Sequence, residues 1–496
     1  MKFRINDNMF PEIEDTYEGE NTIFLATDSW DDYGFKTFFS VRIIENGDWK
    51  ELGSIRILKY DKKITKSAIP SEFNSLSNEF VSLGTNKEFY EALIFNFGKV
   101  DAEKILLLLN DISIKNIDDN PYFSINHRGI QNSLFRSSDA RYLYEEVSNI
   151  YFKNEKTSDR AYQFTFRLEI DKDEYIPIDV NFSKHDYLPN RFFALIGKNG
   201  VGKTRLLNQL SKSLYDSSNP SNRNRFIIED NYKIPSYQKV IAISFSVFDQ
   251  FFKGESKSKD VEEQTSIVET KKNNYTYIGL HKVDNTVFTA KEIIEVNTSI
   301  FKQLLVKERA ERFIELLNKS KILHEDIKFE DVNESFFTAH FSSGQKIFIS
   351  MLCRLLVEIE DGSLVFFDEP ELYLHPNAIA SLMNIFNDIL NEYQSYAILC
   401  THSPILVQEI PSRYVRNLSL IEGSLIQTEV SIETFGANIS DITKDVYNVS
   451  EHESLYKTTF RKLSKKMDEE EIEKLFQDRL SLKARMFLSS LYLGDD

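Results

Sequence analysis

The stretch Gly197-Lys198-Asn199-Gly200-Val201-Gly202-Lys203-Thr204 fits the pattern G-x-x-x-x-G-K-[ST] at every fixed position. Few short patterns constrain a fold as tightly, because this one works only between a strand and a helix. Residues 191–196 (Arg-Phe-Phe-Ala-Leu-Ile) read as a buried strand, and 205–214 place Leu206, Leu207, Leu210 and Leu214 on one side of a helix. Successive backbone N–H groups in such a loop form an anion nest, and the helix N-terminus adds its dipole. The pattern assigns Gly200, Gly202, Lys203 and Thr204 to nucleotide binding, and Asn199 within the loop and Arg205 just after it are grouped with them as expected binding residues. Lys203 is suited to the β- and γ-phosphates and the Thr204 hydroxyl to Mg²⁺.

Three further segments belong to the same expected sheet edge. Residues 363–367 (Ser-Leu-Val-Phe-Phe) run straight into Asp368-Glu369. A strand ending in two acids puts both carboxylates at the C-terminal edge, where open parallel sheets bind ligands. Asp368 suits Mg²⁺ through water, and Glu369 suits orienting or deprotonating a water. Residues 396–400 form another apolar run, followed by Thr401-His402-Ser403-Pro404, so His402 sits where it can reach a γ-phosphate or its water. Residues 239–245 read as a second buried parallel strand. Finally, Phe341-Ser342-Ser343-Gly344-Gln345-Lys346 opens a helix running to about 358. Ser342 or Ser343 can cap it, and Gly344 keeps its first turn open to an anion. Taken alone, that segment reads equally well as an ordinary capped helix.

As a set these residues resemble the ABC-type ATPase head, in the branch that includes SMC-like, RecF-like and OLD-like ATPases. Phe341-Ser342-Ser343-Gly344-Gln345 is similar to the ABC signature, with serine where many members carry glycine. Leu364 to Pro370 is similar to the Walker B segment, and His402 to the switch histidine. Asp368-Glu369-Pro370-Glu371-Leu372-Tyr373-Leu374-His375-Pro376 is typical of the stand-alone OLD-like branch and unlike transporter subunits. Gln250 stands where a Q-loop glutamine would follow the second strand. The resemblance spans roughly residues 160 to 450. It implies an α/β fold, a mixed and mainly parallel sheet with flanking helices, that binds ATP and Mg²⁺ and hydrolyses ATP. It implies Glu369 and His402 as catalytic residues and Thr204 and Asp368 as metal residues. Ser343, Gly344, Gln345 and Gln250 join the nucleotide-binding set. It further implies a homodimer or higher oligomer through the heads, in which Ser343 and Gly344 act in trans.

The rest of the chain bounds this reading. Its 496 residues, 41% hydrophobic and 13% aromatic, suffice for several domains with real cores. Residues 1 to about 60 read as β-structure, with Asn46-Gly47 between 36–44 and 49–58 as a hairpin signal. Both tryptophans, Trp30 and Trp49, are expected in a core there. Residues 66–150 read as mostly helical, and 161–169 with 175–181 as paired strands. Three divisions follow: an N-terminal α+β domain at 1–158, the ATPase head at 159–450 and a helical tail at 451–496. Residues 254–264 and 271–274 read as loop or insertion, 290–325 as helices, and 415–421 with 424–430 as a hairpin. No heptad array is long enough for a coiled-coil arm. Cys353 and Cys400, both in apolar surroundings, read as reduced core thiols. No apolar run reaches a membrane span, and the start lacks a signal-peptide core, so a cytoplasmic protein with no membrane partner is expected.

A net charge of −17 speaks against broad, unassisted nucleic-acid binding and leaves contact through a complex open. About 90 residues follow His402, with no room and no carboxylate cluster for the Toprim nuclease of OLD proteins. An ATPase head with a private N-terminal domain, no coiled coil and no nuclease is similar to the PtuA-type ATPases of Septu antiphage defence. That resemblance implies an ATP-driven switch acting with a separately encoded HNH nuclease. A RecF-like DNA-repair ATPase and a non-hydrolysing, ATP-bound scaffold remain the alternatives.

Overall fold

The computed structural model describes residues 1–6, 22–27, 34–135, 138–153, 163–172, 174–185, 187–216, 219–227, 235–246, 251–253, 274–282, 284–323, 325–421, 424–446 and 454–492. Trp30, Gln250, the expected insertion at 254–264 and residues 271–273 of the second expected loop lie outside the described residues. The chain forms two compact units, Met1–Gly436 and Ala437–Asp496.

The first unit begins with a six-stranded sheet. Its strands are β1 (Lys2–Asn6), β2 (Thr22–Thr27), β3 (Phe38–Glu45), β4 (Asp48–Lys59), β5 (Glu72–Phe73) and β6 (Phe80–Gly84), in the order β5-β1-β2-β3-β4-β6. The β3–β4 hairpin turns through Asn46 and Gly47 at φ 53° and 80°, the double positive φ that Asn-Gly supplies. Trp49 packs edge-on against Phe24 across the sheet. Helices α1 (Lys87–Phe97), α2 (Lys99–Leu108) and α3 (Ser138–Val147) follow. The stretch 66–150 is mostly helical as expected, with β5 and β6 as two short strands the sequence reading did not mark. All five residues of β6 are buried, so Phe-Val-Ser-Leu-Gly shows no alternation to mark it as a strand.

Next come β7 (Gln163–Asp171) and β8 (Glu174–Asn181), paired antiparallel as their alternation foretells. The order continues β9 (Phe192–Gly197), α4 (Lys203–Tyr215), α5 (Pro220–Arg223), β10 (Phe226–Ile227), β11 (Val240–Ser244), β12 (Tyr275–Gly279), α6 (Ala290–Val306), α7 (Ala310–Ser320), α8 (Glu334–Thr338) and α9 (Ser343–Glu358). It closes with β13 (Leu364–Asp368), α10 (Pro376–Glu392), β14 (Tyr396–Cys400), α11 (Pro404–Val407), β15 (Val415–Ile421) and β16 (Ser424–Glu429). The seven-stranded sheet runs β12-β11-β13-β14-β9-β15-β16. Every pairing is parallel except β15–β16. This is the mixed, mainly parallel sheet expected of an ABC-type head.

One apolar cluster joins this sheet to α4: Leu206, Leu207 and Leu210 pack on Ala242, Phe366 and Ile398. The antiparallel β7–β8 pair covers the same cluster through Phe166 and Ile178. Cys353 and Cys400 are buried free thiols. The N-terminal sheet has its own cluster around Phe39, Ile55 and Phe89, and polar contacts bind it to the head. Ser236 donates to Glu145 at 2.6 Å, Arg223 to Asn132 at 3.0 Å and Asn274 to Asp139 at 3.1 Å. Lys87 pairs with Glu360.

The second unit contains α12 (Ile439–Asp441), α13 (Leu455–Leu463), α14 (Glu469–Leu475) and α15 (Leu482–Ser490). Phe460, Ile472 and Leu488 give the last three helices a small shared core. Among the described residues, no helix is long and apolar enough to cross a membrane.

Candidate nucleotide site

Backbone geometry at the end of β9 explains the glycines. Gly197 has φ 148°, and a Cβ there would lie 2.3 Å from the Leu418 carbonyl oxygen of β15. Only glycine lets those two strands come that close. Gly200 and Gly202, at φ 79° and 104°, turn the chain over open space. α4 then begins at Lys203 with no side-chain cap, so its first N–H groups have neither intrahelical nor capping partners. That is the anion nest the motif requires.

Side chains from three parallel strand ends meet beside this nest. Lys203 Nζ donates to the Gly197 and Lys198 carbonyls at 3.0 and 3.2 Å and lies 2.7 Å from His402 Nε2. Thr204 Oγ1 donates to Asp368 Oδ2 at 2.6 Å. Asp368 closes β13 and is buried, and His402 follows β14. Glu369 takes φ 48°, with its N–H donating to the Cys400 carbonyl at 2.8 Å, and its Oε1 lies 3.8 Å from His402 Nε2.

The electrostatics follow from this packing. Burial lowers the Lys203 pKa, against the pull of Asp368, Glu369 and Glu371. Burial, and then the Lys203 charge, push His402 down to about 4. His402 is therefore neutral at pH 7, and Lys203 is the donor in their hydrogen bond. With Nε2 accepting, the imidazole proton is assigned to Nδ1. The Glu369–His402 contact is accordingly not an ion pair at that pH.

Sequence reasoning gave Glu371 no part in this site. Its Oε1 accepts from Thr401 Oγ1 at 2.8 Å and from the His402 backbone N–H at 2.7 Å. It thus anchors the turn that presents His402. Burial raises its pKa, and the nearby Glu369 charge adds to the effect. The available signal was a third carboxylate two residues beyond the acidic pair, in the turn leaving β13.

The glycine loop opens on a cavity of about 470 Å³. Asn199, Gly200, Gly202, Lys203, Thr204, Arg205, Glu369 and His402 line it. Leu168 and Ile170 from β7, Leu420 from β15 and Leu425 from β16 add an apolar part to the lining. The polar part of this lining suits a polyphosphate in its chemistry, and the apolar part suits a nucleobase. Thr204 lines the cavity and is hydrogen-bonded to Asp368, and this pair of oxygens fits a Mg²⁺ ion in its chemistry.

Ser343, Gly344 and Gln345 are not among the residues lining that cavity. Ser342 caps α9, accepting from Gln345 N at 3.3 Å, while Gln345 returns the bond to Ser342 N at 2.9 Å. Gln345 Nε2 donates to the Ile322 carbonyl at 2.9 Å, so this side chain holds its own helix start in place. Ser342 and Ser343 are exposed. A Cβ on Gly344 would lie 2.3 Å from the Tyr373 carbonyl oxygen, so α9 begins directly against the turn after Glu369.

Residues 292–408 match the family model described as "AAA domain, putative AbiEii toxin, Type IV TA system". That span holds α9, Asp368, Glu369 and His402. Over that span the head is similar to an AAA-type domain. Protein ea59 of Escherichia phage lambda is 25% identical over 522 residues, covering 96% of this chain and 96% of that protein. Among solved structures, cbiO1 from Clostridium perfringens, part of the ABC transporter complex cbiONQ, overlays with a TM-score of 0.30. It is 16% identical, over 64% of this chain and 100% of its own. The ADP conformation of MJ1267, an ATP-binding cassette of an ABC transporter, gives a TM-score of 0.31 and 13% identity, over 58% and 96%. At such scores these overlays add nothing to the fold already described.

Proposed function

We propose that this chain is an ATP-binding and ATP-hydrolysing switch. One observation carries the reading: Lys203, Thr204, Asp368, Glu369 and His402 converge from three parallel strand ends on one cavity edge. Lys203 and the first N–H groups of α4 bind the phosphates. Thr204 would hold Mg²⁺ directly and Asp368 through water, and the ion would neutralise charge on the β- and γ-phosphates when bound. Glu369 orients the attacking water and takes its proton, and neutral His402 steadies the same position. Exposed Ser343, with Gly344, serves the nucleotide of a second copy, so that turnover requires a dimer. Association would then be linked to nucleotide state.

The finer reading is a switch subunit of an antiphage defence complex, regulating a separately encoded HNH nuclease, with nucleic acid contacted through that complex. The resemblance to PtuA-type ATPases supports it. So does the toxin description of the matched family. The test is phage plating on cells carrying the native operon with Lys203→Ala or Glu369→Gln. Both variants are expected to lose protection, and retained protection in both would remove the reading. Affinity purification from the same cells is expected to recover a small HNH-type protein. Recovery of the chain alone would shift weight to a stand-alone ATPase.

A further inference from the structure

We infer that the Ser244 hydroxyl is a further oxygen of the metal site, holding a water of the Mg²⁺ hydration shell beside Thr204 and Asp368. The inference rests on the ATP-binding reading above and assigns that site a positioning residue.

Ser244 ends β11, and its register partners are Asp368 at the end of β13 and Gly279 at the end of β12. Register partners on parallel strands point to the same face of a sheet. Here that face carries α4: Val240 and Ala242 of β11 share one cluster with Leu364 and Phe366 of β13 and with Leu206 and Leu207 of α4. The Ser244 hydroxyl therefore points where the Asp368 carboxylate points, towards the helix start that brings Thr204 Oγ1 to Asp368 at 2.6 Å.

Ser244 is 0% exposed, and its Oγ has no hydrogen-bond partner among the described residues. Buried hydroxyls are normally paired, and leaving one unpaired is unfavourable. Nothing in the packing asks for a hydroxyl here. Two residues earlier on the same face, Ala242 fills the apolar position without one. The backbone is held firmly, since Ser244 pairs with strands on both sides and Tyr277 Oη donates to its carbonyl at 3.3 Å. A fixed, unpaired hydroxyl one strand away from a metal-suited carboxylate is what an outer-sphere ligand requires. Mg²⁺ keeps several of its waters, and those waters need acceptors at fixed positions. Asp368 alone cannot supply them all.

The test is Mn²⁺ binding to the purified full chain, read by electron paramagnetic resonance at saturating non-hydrolysable ATP analogue. Metal-free analogue binding is measured in parallel. Ser244→Ala removes one atom and leaves the apolar face as Ala242 leaves it. It is expected to weaken Mn²⁺ about tenfold, the scale of lost outer-shell partners, with metal-free binding unchanged. Ser244→Thr keeps the hydroxyl and is expected to stay close to wild type. Wild-type Mn²⁺ affinity in Ser244→Ala would overturn the inference, as would an equal loss of metal-free binding, which would make the hydroxyl structural. A wild-type chain that binds no analogue at all would instead sink the ATP-binding reading, and this inference with it.

Discussion

Lys203 Nζ lies 2.7 Å from His402 Nε2, and that contact adds to burial in keeping the histidine neutral. His402 titrates near 4 in the folded chain, against 6.5 for an ordinary histidine, because burial and the Lys203 ammonium both oppose its proton. The unfolded chain thus binds a proton that the folded chain refuses between those two values. Stability from this group is complete above pH 6.5 and is lost as pH falls towards 4. Asp111 works in the opposite direction. Burial raises it from 3.8 to about 6, so its contribution is present at low pH and lost as pH rises through that window. The difference between wild type and His402→Gln isolates the histidine. Wild type is expected to lose more of its thermal midpoint than the variant between pH 7 and pH 5. Parallel curves would show that His402 does not titrate as described.

Glu371 gives a second prediction. Its Oε1 receives both the Thr401 hydroxyl and the His402 N–H, so its removal frees the turn that aims His402. Glu371→Ala is expected to lower ATP turnover by roughly 10- to 100-fold while nucleotide affinity changes little, since small misplacements act mainly on the transition state. Glu371→Gln keeps a carbonyl oxygen for those donors and is expected to retain most turnover. A Glu371→Ala effect confined to affinity would contradict the positioning role.

Much of the nucleotide site was legible because each part has a local signature. The glycine loop, the apolar run into Asp368-Glu369 and the run into His402 each announce a strand end in a few residues. The sheet then brings those ends together without further information. What stayed hidden depends on neighbours. β12 is a buried strand of Tyr-Thr-Tyr-Ile-Gly whose only mark is its pairing with β11. β6 is buried on both faces and loses its alternation for that reason. Glu371 acts through contacts with residues 30 and 31 positions away, which no local pattern reports. The role of Gln345 in securing α9 against Ile322 is likewise a matter of packing.

Two glycines of the loop should respond differently to the same substitution. Gly197→Ala drives a Cβ into the Leu418 carbonyl, and backbone cannot move aside cheaply. It is expected to destabilise the head by about 3 kcal/mol, the upper range for overpacking with added backbone strain. Gly200→Ala meets nothing within 4 Å and carries only the strain of its positive φ, about 1 kcal/mol. Chemical denaturation should rank them in that order. Equal losses would mean that contact with β15 is not what Gly197 serves.

The link between the N-terminal sheet and the head yields the last prediction. Lys87, at the start of α1, pairs with Glu360 in the connection from α9 to β13. Burial disfavours both charges, yet the pairing holds the Lys87 pKa up and the Glu360 pKa down. Lys307 also lies 3.6 Å from Glu360, so Lys87→Met does not leave the carboxylate without a cation. Its expected cost is modest, about 1 kcal/mol. Two residues on, Gly362 has φ 71°, and a Cβ there would lie 2.5 Å from the Tyr142 ring of α3. Gly362→Ala therefore presses on the domain contact itself and strains the backbone as well, so it should cost more, about 2–3 kcal/mol. Because this connection leads from α9 into the strand carrying Asp368, loosening it should also expose the N-terminal sheet's attachment to protease. Limited proteolysis is expected to cleave Gly362→Ala faster than Lys87→Met, and Lys87→Met faster than wild type. The reverse order would show that the ion pair, and not the Tyr142 contact, holds the two sheets together.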